Sequence, residues 1–350
     1  MASELDSDII MGSTEHLERG VLELDALYSP KAIFVLTSSV TSIIGTDIVG
    51  ICDSLQGKVQ SRLIPVNSSG LGADYSAGLR KIYLQLAELF AKPANAKQSK
   101  RYNILGASSL HYRAESDICE IESLLREAFG YDLLHCFAMN TTTEAIAELG
   151  NAELNIVLAA EALPCAEYLQ SVTGTPYVYL PPYGYSQTTE FLNSVAAVIG
   201  QPVKEAMLQR LAEKNRRLKM LLNSPLLSRT PGTVFLKGDY DTVKGLGDFF
   251  KELRFNIAHS VCMHKITGAA AEAGIEYFKE EKEYLQLLKD IRHCLVMADE
   301  DTIAKTDATN LKICVSHPCF SHRTIAKHLP FMGERGADML FEYIQQYVNM

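Results

Sequence analysis

Short unbroken apolar runs alternate with amphipathic helical segments along the whole chain, and this alternation calls for parallel sheets wrapped by helices. The clearest runs are Ala32-Ile-Phe-Val-Leu36 and Arg62-Leu-Ile-Pro-Val66. A strand buried on both faces has no polar side to show, so it reads as continuous rather than alternating apolar residues. Further strands are expected over 102–106, 132–137, 154–158, 177–180, 232–238, 256–260, 294–297 and 312–315. Helices are expected over 14–27, 48–55, 75–90, 115–129, 143–149, 162–170, 242–253 and 336–348, with a long, charge-rich helical stretch over 190–222 bridging two domains. The blocks repeat strand and helix without the fixed-period identity of a solenoid.

The polar, proline-containing stretch 92–100 (KPANAKQSK) has no periodicity and reads as a linker. Three Rossmann-like α/β domains follow: 1–97, 98–225 with the bridging helix, and 226–350 with a C-terminal helix expected to return to the first domain. With 350 residues, 47% of them hydrophobic, the chain has material for several cores. The net charge of -9 argues against a nucleic-acid surface, which clusters Lys and Arg against phosphates. No apolar run reaches the roughly 18 residues of a membrane helix. The opening Met-Ala-Ser-Glu-Leu-Asp-Ser-Asp lacks the basic and apolar regions of a secretion signal, so a cytoplasmic location is expected. The eight cysteines are scattered without a C-x-x-C pair, and core packing is the ordinary reading for each.

Ligands of such sheets sit beyond the carboxyl ends of the strands, at switch points in strand order. Four segments fall there: 37–45, 67–72, 106–109 and 238–241. Their glycines permit close backbone approach, and helix N-termini attract negative charge. Plain strand-to-helix geometry would also explain each glycine.

Five segments in order carry a resemblance. They are 28–47 (YSPKAIFVLTSSVTSIIGTD), 64–72 (IPVNSSGLG), 151–158 (NAELNIVL) continuing to Ala166-Glu-Tyr-Leu169 and Gly174-Thr-Pro-Tyr177, then Pro182-Tyr-Gly184 with Phe191-Leu192, and His317-Pro-Cys-Phe320 leading to Gly333-Glu-Arg-Gly-Ala337. Together they resemble the nitrogenase component 1 family. The resemblance implies an α/β oxidoreductase subunit that receives electrons from an ATP-dependent iron-sulfur reductase and acts in an inter-domain cleft. It also implies pairing, as a homodimer or with another component 1-like subunit. The first domain resembles one lacking a leading strand–helix unit with a glycine-proline-x-glycine-cysteine turn.

The departures fall on chemistry. Where the family places cluster cysteines, this chain has Ser38, Ser39 and Ser68, and where a cofactor cysteine would follow Leu158 it has Ala159 and Ala160. Iron-sulfur clusters take thiolates, and serine oxygen is a harder donor. A 4Fe-4S cluster would therefore be shared with a partner subunit. Candidate cofactor contacts are Ser38, Ser39, Gly45, Asn67, Ser68, Gly106, His111 and Cys165. Candidate metal ligands are Cys165, His317 and Cys319, with His322 in the same segment and Cys314 expected to face the core. His111 with Tyr112 and Arg113 could meet an acidic ligand. His259, Cys262 and His264 read mostly as packing or surface residues. A non-catalytic scaffold for a metallocofactor, cluster precursor or tetrapyrrole is the alternative function.

Overall fold

The computed structural model describes residues 14–67, 74–94, 96–108, 111–222, 232–264, 274–277, 280–320 and 328–348. The chain divides into two compact units, Met1–Ile82 and Tyr83–Met350.

In the first unit, strands β1 (Ala32–Leu36) and β2 (Arg62–Val66) pair in parallel. Helices α1 (Glu15–Tyr28), α2 (Ser39–Ile44) and α3 (Ile48–Gln56) accompany them. Val21, Ile33, Val35, Ile48, Cys52, Leu55, Val59 and Leu63 form the core. Helix α4 (Tyr75–Phe90) runs across the division between the units. Several large apolar side chains of this unit face outward: Leu27 is 73% exposed, Ile43 71%, Tyr28 69% and Leu36 65%.

The second unit holds two four-stranded parallel sheets. The first, in the order β4-β3-β5-β6, comprises β3 (Arg101–Leu105), β4 (Asp132–Phe137), β5 (Leu154–Val157) and β6 (Tyr177–Tyr179). Its helices are α5 (Ala114–Phe129), α6 (Thr143–Ala147), α7 (Leu163–Thr173), α8 (Gly184–Ile199) and α9 (Glu205–Leu222). The second, in the order β10-β9-β7-β8, comprises β7 (Thr233–Gly238), β8 (Asn256–Cys262), β9 (Leu295–Ala298) and β10 (Leu311–Cys314). Its helices are α10 (Tyr240–Glu252), α11 (Glu281–Asp290) and α12 (Glu300–Lys305), and α13 (Gly333–Val348) closes the chain. In each sheet the chain leaves the first strand to one side and returns on the other. The strand order therefore switches between β3 and β5 and between β7 and β9.

Two expectations change in detail. The helical stretch 190–222 is two helices, because Gly200 at φ +68 caps α8 and Pro202 follows before α9 begins. The C-terminal helix returns to the middle block, packing on α5 and α8. Its apolar stripe Ala337, Leu340 and Ile344 is fully buried there. Among the described residues, no helix is long and apolar enough to cross a membrane.

The motif Pro182-Tyr-Gly184 welds the two sheets' helices together. Gly184 has φ +80, and a Cβ there would lie 2.3 Å from the Phe249 ring of α10. The Tyr183 ring in turn lies over Gly245, where a Cβ would come within 2.1 Å of it. Gly184→Ala therefore meets backbone strain and overpacking together, and should lose about 2–4 kcal/mol of stability. Denaturant unfolding checks this, and a midpoint unchanged from wild type would show that the contact is not tight.

Candidate functional site

The cleft of the second unit lies at the carboxyl ends of its two sheets. Ala107 follows β3 and Leu158 and Ala159 follow β5, while Asp239 and Asp241 follow β7 and Val315 follows β10; all line the cleft. A cleft at a switch point is where open α/β sheets hold ligands. The free space is about 30 Å³, enough for roughly two water-sized molecules.

Two carboxylates dominate it. Asp241, in the first turn of α10, is buried. Its Oδ1 accepts from the Tyr179 hydroxyl at 2.6 Å and its Oδ2 from the Ala160 N–H at 2.8 Å. Burial pushes its pKa up to about 7 against these donors, and the charges of Glu161 and Asp239 push the same way. Asp117, on α5, is also buried. Its Oδ1 accepts from the N–H groups of Phe331 at 2.7 Å and Met332 at 2.9 Å, just before α13. Burial pushes Asp117 up to about 7 as well, with the two N–H groups and the Arg113 guanidinium pulling down.

Polar and aromatic groups surround the pair. Asp239 is the N-cap of α10. Next to it, the Tyr240 N–H donates to His264 Nε2 at 3.2 Å, and Glu161 Oε1 lies 3.5 Å from that nitrogen. Both His264 and Glu161 are buried. Tyr183 is buried with its hydroxyl 3.4 Å from Thr242 Oγ1, and burial raises its phenol far above the usual range. Across from them Arg113 stacks over Tyr112 at 5.2 Å and over Phe331 at 4.9 Å.

The residues singled out in the sequence do not converge on one point. His111 and Tyr112 line the cleft. Gly106 has φ +83 and abuts Ala159 and Ala162, so it serves the close approach of β3 to the turn after β5. Cys165 is fully buried in the first turn of α7, its thiol pushed up to about 12 by burial. Ser38 caps α2 by accepting from the Thr41 N–H at 3.2 Å, and Ser39 opens that helix. Gly45 closes it at φ +80. Asn67 Oδ1 accepts from the Thr37 hydroxyl at 3.2 Å, joining the ends of β1 and β2. His317 accepts at Nδ1 from the Cys319 N–H at 3.3 Å, and Cys319 is buried. His259 pairs with Glu276 at 2.8 Å. Ser68 and His322 lie outside the described residues. Among the described residues, no three of His, Cys, Asp and Glu are arranged to hold a metal.

Asp117 and Asp241 were not singled out from the sequence, although a signal existed for each. Asp241 lies in the flagged glycine turn 238–241. Asp117 and Glu120 interrupt the apolar stripe Ala114, Ile118, Ile121, Leu125 of α5, and an acid on a core-facing stripe needs a partner.

Two parallel sheets flanked by helices, with a cleft across their switch points, define an α/β protein of the doubly wound kind. Residues 5–349 match the nitrogenase component 1 type oxidoreductases, and the chain belongs to that family. It is 27% identical over 231 residues to the nitrogenase iron-molybdenum cofactor biosynthesis protein NifE of Nostoc sp., covering 65% of this chain and 47% of that one. It is 26% identical over 347 residues to a subunit of the light-independent protochlorophyllide reductase of Rhodopseudomonas palustris, covering 91% of this chain and 62% of the relative. The chain thus spans about half to three-fifths of the curated relatives it matches. A solved structure of nitrogenase Cp1 at pH 6.5 superposes with a TM-score of 0.75 at 17% identity, over 99% of this chain and 82% of that one. At that identity the likeness shows the fold.

Proposed function

We propose that this chain is a subunit of a nitrogenase-like oxidoreductase, taking electrons from an ATP-dependent iron-sulfur reductase and acting on a substrate or metallocofactor in the cleft. The observation that carries this reading is the pair of buried aspartates, Asp117 and Asp241, contributed by the helices that follow β3 and β7. Both are pushed by burial up to about 7. Reduction of a bound molecule consumes protons as well as electrons, and a carboxyl that titrates near neutrality can hold and release one. Arg113, stacked on Tyr112 and Phe331, provides a fixed positive charge near Asp117.

The donor set does not fit an iron-sulfur cluster held by this chain alone. Among the described residues no cysteine lines the cleft, Cys165 is buried in α7, and Ser38 is engaged in capping. A 4Fe-4S cluster in the assembly would draw its thiolates from a partner subunit. The outward-facing Leu27, Tyr28, Leu36 and Ile43 of the first unit favour such a partner, a second copy or another component 1-like chain.

A second reading is a scaffold that holds a metallocofactor, cluster precursor or tetrapyrrole without turning it over. The similarity to a cofactor biosynthesis protein and the poor donor set favour it. Anaerobic purification with iron and acid-labile sulfide analysis and EPR separates the two. The oxidoreductase reading expects iron and sulfide once the partner subunit is present, with a signal that responds to the reductase and ATP. Iron-free protein both alone and with its partner would sink it.

A further inference from the structure

Three carboxyl groups line the cleft, those of Asp117, Asp239 and Asp241, and among the described lining residues there is no Lys or Arg. The backbone donors at the helix starts around it are already spent. The Tyr240 N–H goes to His264, the Ala160 N–H to Asp241 Oδ2, and the Phe331 and Met332 N–H groups to Asp117 Oδ1. The Gly333 N–H goes to the Pro182 carbonyl. An anion entering here meets carboxyl groups and finds none of these N–H groups open to it. In the sequence, His111-Tyr112-Arg113 suggests an acidic ligand, and the lining points the other way. Arg113 is not among the lining residues; its guanidinium lies over the Tyr112 and Phe331 rings and donates to the Leu329 carbonyl at 3.2 Å.

Asp117 is the acid with accepting capacity left. It is 6% exposed and takes both backbone donors on Oδ1, and no described residue donates to its Oδ2. Asp241, by contrast, has both oxygens engaged. The free space of about 30 Å³ admits roughly two water-sized groups. The rings of Tyr112, Tyr183 and Phe331 line the same space, and the faces of aromatic rings attract positive charge. Resting on the assignment of this cleft as the place where the substrate is held, we propose that it binds a small cation bearing N–H groups, of the protonated amine class, with its ammonium on Asp117 Oδ2. A cation there favours the ionised carboxylate that burial disfavours, so it competes with the proton on Asp117. The other charged and titratable groups of these walls are Arg113 and Glu120 on the same helix, His111 before it, Tyr183 ahead of α8, and Asp239 and Asp241 at α10; Arg335 of α13 is paired with Glu120.

The test is a methylammonium titration of the full chain, without reductase, ATP or iron, read by saturation transfer to the methyl protons in NMR at constant ionic strength. The apparent Kd should fall about tenfold from pH 6 to pH 8, because a carboxyl with a pKa of about 7 goes from about one-tenth to about nine-tenths ionised over that range. Acetate should not displace the ligand. Asp117→Asn, checked for a native circular dichroism spectrum, should bind about tenfold more weakly at pH 8. The proposal is overturned if the affinity is flat or falls as the pH rises, if acetate displaces methylammonium, or if folded Asp117→Asn binds as tightly as wild type. The first two outcomes need no variant, so a chain that failed to fold would not shield the idea. Methylammonium binding by a chain that stays iron-free with its partner would keep this assignment and sink the oxidoreductase reading, and a loaded, reducible assembly whose cleft ignores methylammonium would do the reverse.

Discussion

Asp117→Ala should unfold well before the wild-type chain, with about 2–5 kcal/mol lost from its stability. One oxygen of Asp117 accepts from two backbone N–H groups, those of Phe331 and Met332, and all three residues are buried. Alanine strands both donors where water cannot reach, at about 1–3 kcal/mol each. The damage falls where α13 begins. The Gly333 N–H donates to the Pro182 carbonyl at 2.7 Å, and the Arg335 N–H donates to Glu120 Oε1 at 3.0 Å. Asp117→Asn keeps an oxygen in the same place and should stay within about 1 kcal/mol of wild type. Urea unfolding followed by circular dichroism measures both. Equal midpoints for alanine and asparagine would show that the two hydrogen bonds do not fasten α13.

Asp241→Asn should gain on the wild-type chain as the pH rises from about 4 to about 7. The folded pKa of Asp241 is raised from an ordinary 3.8 to about 7, so the folded state holds a proton that the unfolded chain has released. Stability then falls as pH climbs through that window, because the native state binds more protons than the unfolded one. Below the window both states are protonated, and above it the buried charge is fully present. Asparagine cannot ionise. Its amide can donate to the Tyr179 oxygen while its carbonyl accepts from Ala160, as the protonated acid does. Asp117 slides in the same direction, while Glu252 and Glu334, both lowered, contribute stability that is lost toward acid. All three are common to the two chains, so the difference between their unfolding midpoints at acid and neutral pH isolates Asp241. A difference that does not change with pH would mean that Asp241 is ionised throughout, and it would remove one of the two proton carriers from the proposed mechanism.

The sheets were legible because burial on both faces writes itself into consecutive apolar residues. The expected spans of β1, β2 and β4 coincide with the observed strands. The break at Gly200 to Pro202 was less legible, since charge runs through both flanking helices and masks the cap. The family was legible from ordered motifs, and the structure supplies their physics. Gly184 exists for Phe249, Gly106 for Ala159, and Gly333 for Glu120, where a Cβ would come within 2.3 Å of its side chain. The buried acids were harder. Nothing local to Asp117 announces that its partners lie more than two hundred residues away. The family resemblance points instead to Ser38, and a place just after a strand end points to Cys165; their atoms are spent on a helix cap and a core.

The placement of α13 bears on how the chain comes to be folded at all. Its apolar stripe covers α5 and α8, so the first sheet of the larger unit lacks part of its lid until the last stretch of chain has been made. During synthesis, Asp117 waits for Phe331 and Met332 while the whole second sheet is translated. At roughly 5–20 residues per second, that interval is on the order of ten seconds or more, during which α5 and α8 show bare apolar surface. A nascent chain stalled before residue 331 therefore leaves exposed the apolar faces of α5 and α8 that α13 covers in the folded chain.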